Sequence, residues 1–496
     1  MYPLLFSLLS GAALPFAFAP YNAYSLAFLS PAILLFIWLR AKPAQAALQG
    51  LFFGFGFFGV GTSWIYISIH HFGNAPIPLA IFITALFVGF LSLYLALHGY
   101  LFRCLFQNKP LAVQCLCLFP ASWVLFEALR GWLFTGFPWL FLGYSQITTP
   151  LHALAPLFGV YGVSLAVTLI SGAVVLLATP KKSLLLKGIS VLIIIVIVSS
   201  GWILSDRTWT QVAGKPIKVS LVQGNIPQIL KWHPEQLVNI LNIYRKLTEK
   251  NWQSKLIIWP EAAIPTYPKN AKNYFQTMNQ LAKQKKDYLI IGSPIYDQKT
   301  QKFYNGLNLI GAGKGQYLKR HLVPFGEYTP LKSTLGKLMK QLNIPMSDFS
   351  SGPKKQAALS INGYNIAAFI CYEIAYSREV LQHVKDTQII INISDDSWFG
   401  RSKALYQQAQ MAQMRALETG RPILLSTNTG ITGFINPLGR FTKLAPIDKR
   451  LVLNSKVTPM KDETPLMRWQ YYPVIGLIIL LLLIGIAWRK EPSHSN

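Results

Sequence analysis

Charged residues are scarce in this chain, and acidic residues are the scarcest. Only 13% of the 496 residues are charged, with 19 acidic against 46 basic side chains. A soluble enzyme of this length would carry roughly a quarter charged residues. This deficit, with 52% hydrophobic residues and a mean hydropathy of +0.35, excludes an ordinary water-soluble protein. Much of the chain is therefore expected to lie in lipid.

Cysteine is also rare, with four residues in the whole chain. Cys104, Cys115 and Cys117 lie in or beside apolar segments, where a cysteine acts as a small core residue. The spacing of Cys115 and Cys117 is wrong for a zinc or thioredoxin-type pair, so we expect no metal and no cofactor. Cys371 stands apart, because it is the only cysteine in a long polar stretch.

The net charge of +27 does not come from one clustered basic face. Lysines and arginines in cytoplasmic loops, attracted to anionic lipid headgroups, account for it. A nucleic-acid partner would need a basic patch that the sequence lacks, so none is expected.

Eight apolar stretches predict a bundle of about eight transmembrane helices. Several are shorter than the roughly 20 residues of a straight span. The first ends in a motif like a signal-peptidase site, but it has no basic start, so we expect an uncleaved anchor. The stretches are 4–19, 26–39, 46–67, 77–101, 111–126, 155–178, 189–204 and 474–488.

Loop charges predict the orientation of this bundle. Basic residues follow the second, fourth, sixth and eighth stretches, whereas the alternate loops are nearly bare. Both termini are therefore expected in the cytoplasm and the large polar region outside it. The loop 127–154 holds Glu127, Arg130 and an aromatic-rich run, 131–139. It is either an interfacial aromatic belt with a local ion pair or a wall where lipid enters.

The region 216–457 has a different texture, with short apolar strands alternating with polar helical patterns. This alternation predicts an α/β domain. The complete prediction is a multi-span α-helical membrane bundle at 1–205, this α/β domain at 216–457 and a closing transmembrane helix at 472–490. Predicted strands are 217–223, 256–259, 288–292, 366–371 and 388–394; predicted helices are 233–251, 270–285 and 404–419; the glycine-rich run 311–315 is expected to be a hairpin turn.

The segment 331–346 has leucines at helical spacing with lysines between them. Gly336 in its middle weakens the helix by about 1 kcal/mol relative to alanine. It is either an ordinary surface helix or a membrane-contacting lid.

Three reactive side chains are expected at strand ends in the polar region: Glu261, Lys319 and Cys371. A thiol at the start of a helix lies close to N–H groups that favour the thiolate. Glu261 could accept the thiol proton, and Lys319 could offset the charge on a carbonyl oxygen under attack. His321 would share a strand face with Lys319, which leaves a supporting role open for it.

These residues lie in recognisable motifs. Trp-Pro-Glu261, Lys319-x-His-Leu-Val-Pro-Phe-Gly-Glu327 and Cys371-Tyr-Glu373 resemble the Glu-Lys-Cys motifs of the nitrilase (carbon–nitrogen hydrolase) superfamily. With spans on either side, the whole chain closely resembles the bacterial apolipoprotein N-acyltransferase family. Two further segments match that family's pattern: 222–232 and 392–400.

The resemblance implies a four-layer αββα nitrilase-like domain on the periplasmic side of a Gram-negative inner membrane. It implies transfer of a phospholipid sn-1 acyl chain, typically from phosphatidylethanolamine, to the α-amine of a diacylated apolipoprotein. The expected products are mature triacylated lipoprotein and lysophospholipid.

The resemblance also implies roles for individual residues. Glu261 matches the base, Lys319 the oxyanion stabiliser, and Cys371 the nucleophile that holds the acyl chain as a thioester. Two acids and two aromatic residues near the substrate pocket also match: Glu327, Glu373, Tyr372 and Trp232. The two acids could also serve only through hydrogen bonds that hold Lys319 and its loops.

Two other functions compete with this interpretation. A membrane-tethered nitrilase or amidase would use the same three residues, but a small polar substrate gives no reason for so many spans. A transporter with an accessory domain would place ionisable residues at mid-membrane depth, and these spans carry almost none away from their ends.

Overall fold

The computed structural model describes residues 2–180, 182–267, 269–330 and 348–488. The predicted lid segment 331–346 lies outside the described residues. The chain divides into two compact units, which are described separately. The first comprises Met1–Ile65, Ile81–Arg207 and Thr464–Asn496; the second comprises Tyr66–Ala80 and Thr208–Glu463.

The first unit is a bundle of apolar helices, because backbone groups in lipid must find their hydrogen bonds within the chain. Among the described residues, five helices are long and apolar enough to cross a membrane, and three more are apolar but shorter. Together they coincide in position with the eight predicted stretches; the number that span stays a prediction. The five are Pro43–Gly61, Ile77–Phe106, Leu111–Arg130, Pro150–Ala178 and Leu184–Leu204, and the three are Tyr2–Ala17, Leu26–Trp38 and Tyr472–Ala487.

Small residues allow close approach between these helices. A Cβ atom on Gly11 would lie 2.1 Å from the carbonyl oxygen of Phe53, so only glycine fits where Tyr2–Ala13 packs on Pro43–Gly61. Two of the long helices are made of consecutive pieces, Leu111–Val113, Gln114–Leu118 and Phe119–Arg130 in one and Pro150–Leu154 and Ala155–Ala178 in the other. Short helical pieces outside them are Leu14–Ala17, Ile65–Ile67, Ser68–Phe72, Leu133–Thr135, Leu142–Gln146 and Pro465–Trp469.

Glu127 and Arg130 hold the backbone of the aromatic loop that follows them. Arg130 Nη1 donates to the carbonyl oxygens of Phe137, at 2.9 Å, and Trp139, at 2.5 Å. Glu127 Oε1 accepts from the backbone N–H of Leu142 at 2.8 Å. The two side chains thus satisfy backbone groups that lipid could not satisfy.

The second unit contains two six-stranded sheets and a two-stranded ribbon. The first sheet has the order β13-β2-β3-β4-β5-β6, the second β12-β11-β10-β9-β8-β7, and the ribbon pairs β1 with β14. The strands are β1 Gln211–Val212, β2 Ile217–Gln223, β3 Leu256–Ile258, β4 Tyr288–Asp297, β5 Lys302–Gly311, β6 Gly315–Leu318, β7 Leu359–Ile361, β8 Tyr364–Ile370, β9 Ile389–Ser394, β10 Ile423–Thr427, β11 Gly433–Ile435, β12 Phe441–Leu444, β13 Leu451–Val457 and β14 Met460–Lys461.

Each sheet has a parallel centre, β2-β3-β4 in one and β8-β9-β10 in the other, with antiparallel pairs at its sides. The sheets pack face to face, with β2 in contact with β10 and the hydroxyl of Ser426 donating to the carbonyl of Ile258 at 3.3 Å. Helices cover the outer faces. The first sheet is covered by the helices Leu237–Glu249 and Lys272–Lys285. On the second sheet, Ala404–Thr419 packs against β10, and Ser377–His383 packs against Ala404–Thr419. The shorter helical turns are Gln228–Lys231, Pro234–Gln236, Cys371–Ala375 and Asp396–Phe399.

This αββα arrangement confirms the predicted fold class. Strand β2, the helix Ala404–Thr419 and the hairpin turn between β5 and β6 lie where the sequence placed them. Strand β4 is longer than predicted and runs through Pro294. Proline is tolerated there because the neighbouring strand β3 pairs only with residues 288–290, so no ladder donor is required on that side.

Candidate active site

The three predicted site residues lie just beyond strand ends, as the sequence indicated. Strand β3 ends at Ile258 shortly before Glu261, and β6 ends at Leu318 immediately before Lys319. Both strands belong to the first sheet. Strand β8 of the second sheet ends immediately before Cys371. The site is therefore built from both sheets.

A buried cation lies between two carboxylates. Lys319 is 1% exposed, and its Nζ lies 3.4 Å from Oε1 of Glu261 and 3.0 Å from Oε1 of Glu327. Burial alone would lower the pKa of Lys319, but the attraction of Glu261 and Glu327 outweighs it and raises that pKa above its ordinary value. Lys319 is therefore a permanent positive charge in the site.

Neutral donors fix the two carboxylates. Asn305 Nδ2 donates to Oε1 of Glu261 at 2.6 Å and to Oε1 of Glu327 at 2.8 Å. The backbone N–H of Asp395 donates to Oε2 of Glu261 at 2.9 Å. The second oxygen of Glu327 accepts from the backbone N–H of Val323 at 2.8 Å. Both oxygens of Glu261 and of Glu327 are thereby held in place.

Cys371 occupies a strained position at the end of β8. Its φ is +57°, in the left-handed region that a residue with a side chain rarely adopts. Such strain is a common feature of nucleophiles placed on sharp turns after strands. The thiol is buried, and Glu261 and Lys319 both act on it electrostatically.

The expectation that helix N–H groups favour the thiolate is wrong. Cys371 begins only a single 3₁₀ turn, Cys371–Ala375, which is too short to supply a helix dipole. Burial raises the pKa of the thiol well above its ordinary value, and the negative charge of Glu261 adds to this. Lys319 and a hydrogen bond with Ser394 oppose the rise without overcoming it.

Glu373 connects the loops that carry Lys319 and Cys371. Its Oε1 accepts from the backbone N–H groups of Arg320, at 2.7 Å, and His321, at 3.1 Å, and its Oε2 accepts from that of Ile370 at 2.7 Å. The side chain is 2% exposed. Burial raises the pKa of Glu373 to about 7, although these N–H groups and Lys319 lower it.

The two aromatic residues singled out from the sequence differ in their placement. Tyr372 is buried, with its hydroxyl donating to the carbonyl oxygen of Leu322 at 2.6 Å and its ring centre 5.6 Å from Lys319 Nζ. Trp232 lies at the end of the helix Gln228–Lys231 and is 48% exposed. Tyr372 thus borders the charged cluster, whereas Trp232 presents its ring to the surroundings.

His321 lies past the end of β6, so the strand-face argument for it is wrong. Its ring stacks on Tyr376 with centroids 3.6 Å apart, and its Nδ1 lies 2.8 Å from Oε1 of Glu379. Its backbone N–H donates to Glu373, which ties His321 to the site through the main chain.

The sequence argument missed a buried ion pair. Lys231 and Asp395 are both buried and paired, and Lys231 Nζ also donates to the carbonyl oxygen of Glu261 at 3.1 Å. Asn428 Nδ2 donates to Oδ1 of Asp395 at 3.1 Å. The only signal in the sequence was the position of both charged residues within the two segments 222–232 and 392–400 that match the family pattern.

A second acid near the thiol was also missed. Asp396 is buried, and its Oδ1 lies 2.5 Å from the hydroxyl oxygen of Ser394. Burial raises the pKa of Asp396 to about 8, and the negative charges of Asp395 and Glu261 contribute to the rise. Among the residues that the structure describes, no group of three or more His, Cys, Asp or Glu side chains could hold a metal ion.

Comparison with known proteins places this site in a class. Residues 218–457 match the carbon–nitrogen hydrolase family model. A solved carbon–nitrogen hydrolase from Helicobacter pylori is 14% identical and covers 53% of this chain and 94% of its own, with a TM-score of 0.37. The family match identifies the α/β domain as a carbon–nitrogen hydrolase domain, and Glu261, Lys319 and Cys371 lie just beyond its strand ends.

Matches that extend beyond the α/β domain identify the family within this class. Residues 10–173 match the apolipoprotein N-acyltransferase N-terminal domain. The chain is 52% identical to the apolipoprotein N-acyltransferase of Coxiella burnetii, over 96% of this chain and 98% of that one. It is 40% identical to that of Methylococcus capsulatus, over 100% and 98%. The chain belongs to the apolipoprotein N-acyltransferase family, and it is a membrane-associated acyltransferase.

Proposed function

We propose that this protein moves the sn-1 acyl chain of a phospholipid donor, phosphatidylethanolamine, to the α-amine of a diacylated apolipoprotein. The observation that carries the proposal is the buried Glu261–Lys319 pair acting on the Cys371 thiol in a chain similar to named apolipoprotein N-acyltransferases along its length. A nucleophile, a proton acceptor and a fixed positive charge are the groups that acyl transfer through a thioester requires.

In the first half-reaction, Sγ of Cys371 attacks the sn-1 ester carbonyl while Glu261 takes the thiol proton. Because burial keeps the pKa of the thiol high, proton removal accompanies attack and does not precede it. Lys319 stabilises the oxyanion. When the ester C–O bond breaks, Glu261 returns the proton to the departing lysophospholipid oxygen, and the acyl chain stays on Cys371.

In the second half-reaction, the α-amine of the lipoprotein attacks the thioester carbonyl. Lys319 again offsets the charge on the oxygen, and Glu261 takes a proton from the attacking nitrogen. The C–S bond breaks, the electron pair goes to sulfur, and Glu261 protonates it. The products are an amide on the lipoprotein and the free thiol of Cys371.

The remaining predicted residues are given supporting roles. Glu327 holds Lys319 by its ion pair, and Glu373 holds the adjoining loops by backbone hydrogen bonds. Both are positioning residues. Tyr372 borders the cluster and Trp232 is half exposed beside the buried Lys231, so both are proposed to contact substrate.

The proposed setting is the inner membrane of a Gram-negative bacterium. Residues 1–205 would form seven spans, residues 216–457 a periplasmic catalytic domain and residues 472–490 an eighth span, with both termini cytoplasmic. The asymmetry of basic loops supports this orientation. In intact spheroplasts, an impermeant amine reagent should reach the exposed Lys269. A protected Lys269 would overturn the orientation and leave the chemistry untouched.

Labelled phospholipid without any lipoprotein tests the chemistry. The wild-type protein should carry label on Cys371 and release lysophospholipid before an acceptor is present. Cys371→Ser and Glu261→Gln should lose this step, because each removes one partner of the proton transfer. Lys319→Ala should fold but acylate at least a hundredfold more slowly, since a single oxyanion donor is worth roughly 10²–10³ in rate.

Lys283→Ala, at an exposed helical position, is the matched control for Lys319→Ala and should acylate normally. A wild-type protein that never carries label, yet transfers it once acceptor is added, would mean direct transfer without a thioester. Release of ammonia from small amides without any phospholipid acylation would favour the amidase function.

A further inference from the structure

Lys231, the last residue of the turn Gln228–Lys231, is a buried cation that touches the base. Its Nζ is paired with Oδ2 of Asp395 and donates to the backbone carbonyl oxygen of Glu261 at 3.1 Å. A charged side chain is held out of water only where such partners compensate for the lost hydration. The main chain of Glu261 is therefore fixed by a side chain that follows β2 of the first sheet.

Asp395 completes a ring of contacts by returning to the carboxylate of Glu261. Its backbone N–H donates to Oε2 of Glu261 at 2.9 Å, while its side chain is paired with Lys231. The other oxygen, Oε1, accepts from Asn305 at 2.6 Å and from Lys319 at 3.4 Å, which fills its two lone pairs. Among the described residues, Asp395 is the one donor to Oε2. This oxygen therefore keeps a lone pair for the thiol proton.

Further hydrogen bonds fix Asp395 from its other side. Its Oδ1 accepts from Oγ of Ser397 at 2.5 Å and from Nδ2 of Asn428 at 3.1 Å. Asn428 follows β10 and also binds the chain just before the turn that carries Lys231. Its Nδ2 donates to the carbonyl oxygen of Ile226 at 2.9 Å, and its Oδ1 accepts from the N–H of Ile226 at 3.0 Å. Strand ends of both sheets thus hold the ring in one arrangement.

The pair of Lys231 and Asp395 adds no net charge to the site, because the two charges cancel. Stability alone does not account for it either, since replacing a buried ion pair by well-packed apolar side chains is often neutral or stabilising. The pair instead supplies two fixed points on Glu261, its carbonyl oxygen and its Oε2. Such fixed points matter to the reaction, because a general base must lie within hydrogen-bond reach of the proton that it takes.

We propose that Lys231 and Asp395 are positioning residues that hold Glu261 as the base of the reaction. This inference rests on the proposed acyl transfer and deepens it. With Asp395 on one lone pair of Oε2, the direction of the other is fixed. The proton of the Cys371 thiol passes to Oε2 as sulfur attacks the ester, and it passes on to the departing oxygen when the C–O bond breaks. Lys231 and Asp395 exchange no proton in either step.

Removing both charges of the pair separates positioning from stability. Lys231→Met alone leaves the charge of Asp395 buried without its partner, so this variant should unfold more easily. Adding Asp395→Asn removes that charge and keeps an oxygen for Ser397 and Asn428, so the double variant should melt close to the wild type. The contact of Lys231 with the carbonyl oxygen of Glu261 is lost in both variants.

Single-turnover labelling by labelled phosphatidylethanolamine, with the full chain in detergent micelles, measures the positioning. In the double variant, the saturating rate of acylation of Cys371 should fall about tenfold or more, because small displacements of reacting groups are costly in rate. The phospholipid concentration that gives half of this rate should change less than about twofold, because the pair does not touch the substrate. Lys231→Met alone should acylate, per folded molecule, at the rate of the double variant.

An ion pair at the surface of the same unit, Arg401 with Asp448, offers a matched control. Arg401→Met with Asp448→Asn removes this pair by the same kind of substitution. Asparagine is among the residues that tolerate a positive φ such as the +59° at position 448. This variant should acylate at the wild-type saturating rate, with an unchanged half-saturating concentration.

A double variant of Lys231 and Asp395 that folds and keeps the wild-type saturating rate would show that the pair only stabilises the fold, and the inference would be overturned. A change confined to the half-saturating concentration would overturn it too, because the pair would then act on lipid binding. If the double variant does not fold, Asp395→Asn alone decides. It weakens the hold on Lys231, so the saturating rate should fall at least about threefold, and an unchanged rate would overturn the inference. A wild-type protein that takes no label would refute the proposed acyl transfer itself, and this inference with it.

Discussion

Glu373 offers the sharpest test of how the site is held together, because one side chain accepts from three backbone N–H groups, two in the loop after β6 and one at the end of β8. Glu373→Ala would leave the N–H groups of Arg320, His321 and Ile370 without this acceptor. An unsatisfied buried donor costs about 1–3 kcal/mol, and the low end applies where water can reach. The free energy of unfolding should therefore fall by about 3 kcal/mol.

Loss of Glu373 should also disturb the chemistry. Its hydrogen bonds fix the main chain directly after Lys319 and directly before Cys371. A displacement of about 1 Å in reacting groups can cost about a hundredfold in rate. Glu373→Ala should acylate from labelled phospholipid about a hundredfold more slowly, while still folding. Glu249→Gln, which alters an exposed ion pair, is the control and should change stability by less than about 0.5 kcal/mol.

The pH dependence of stability supplies a second measurement on Glu373. Burial raises its pKa in the folded state to about 7 from an ordinary value of 4.5. Between those values the folded state binds more protons than the unfolded state, so the contribution of Glu373 is fully present below pH 4.5 and is lost as pH rises through 7. The loss amounts to about 3 kcal/mol.

Glu373→Gln cannot titrate, so it isolates this effect. The substitution itself changes the free energy of unfolding by an amount that does not depend on pH. The free energy of unfolding of Glu373→Gln minus that of the wild type should therefore rise by about 3 kcal/mol between pH 4 and pH 8. Denaturant melts at a series of pH values measure the difference. A difference that stays flat with pH would refute the reasoning on burial. If Glu373→Ala is labelled at the wild-type rate and has the wild-type free energy of unfolding, the reasoning on geometry is refuted.

Two further substitutions test the buried network around Glu261. Lys231→Met should lower the free energy of unfolding by about 3–5 kcal/mol, because it leaves the Asp395 charge buried without its partner. Denaturant melts check this, and a loss below about 1 kcal/mol would contradict it. Asn305→Leu should slow acylation at least tenfold, because it removes the donor shared by Glu261 and Glu327. Labelling at the wild-type rate would show that Lys319 alone orders the two carboxylates.

Motifs that lie beside strands were predictable from the sequence. Glu261 and Cys371 lie at the ends of apolar runs that were predicted as buried strands, and a strand end fixes the residue after it. The strand before Lys319, Gly315–Leu318, is short and partly polar and was not among the predicted strands. Strand β2 and the helix Ala404–Thr419 were predicted to the residue.

Partners that depend on long-range packing were not predictable. A lysine is ordinarily a surface residue, yet Lys231 is buried because it pairs with Asp395, 164 residues further along the chain. The thiolate expectation failed for a related reason. It treated the residues after Cys371 as a helix, whereas they form one turn and burial dominates the charge balance.

The reactive residues come from both sheets, so the geometry of the site depends on how the sheets pack in the domain core. The first sheet carries Lys319 and Glu261, and the second carries Cys371. Contacts that cross between them at the site include the N–H of Asp395 on Glu261, the ion pair of Lys231 with Asp395 and the carboxylate of Glu373 on the loop after β6. Because packing of the sheets sets the distance between acid, cation and thiol, a substitution that shifts one sheet against the other changes the chemistry without touching any of the three.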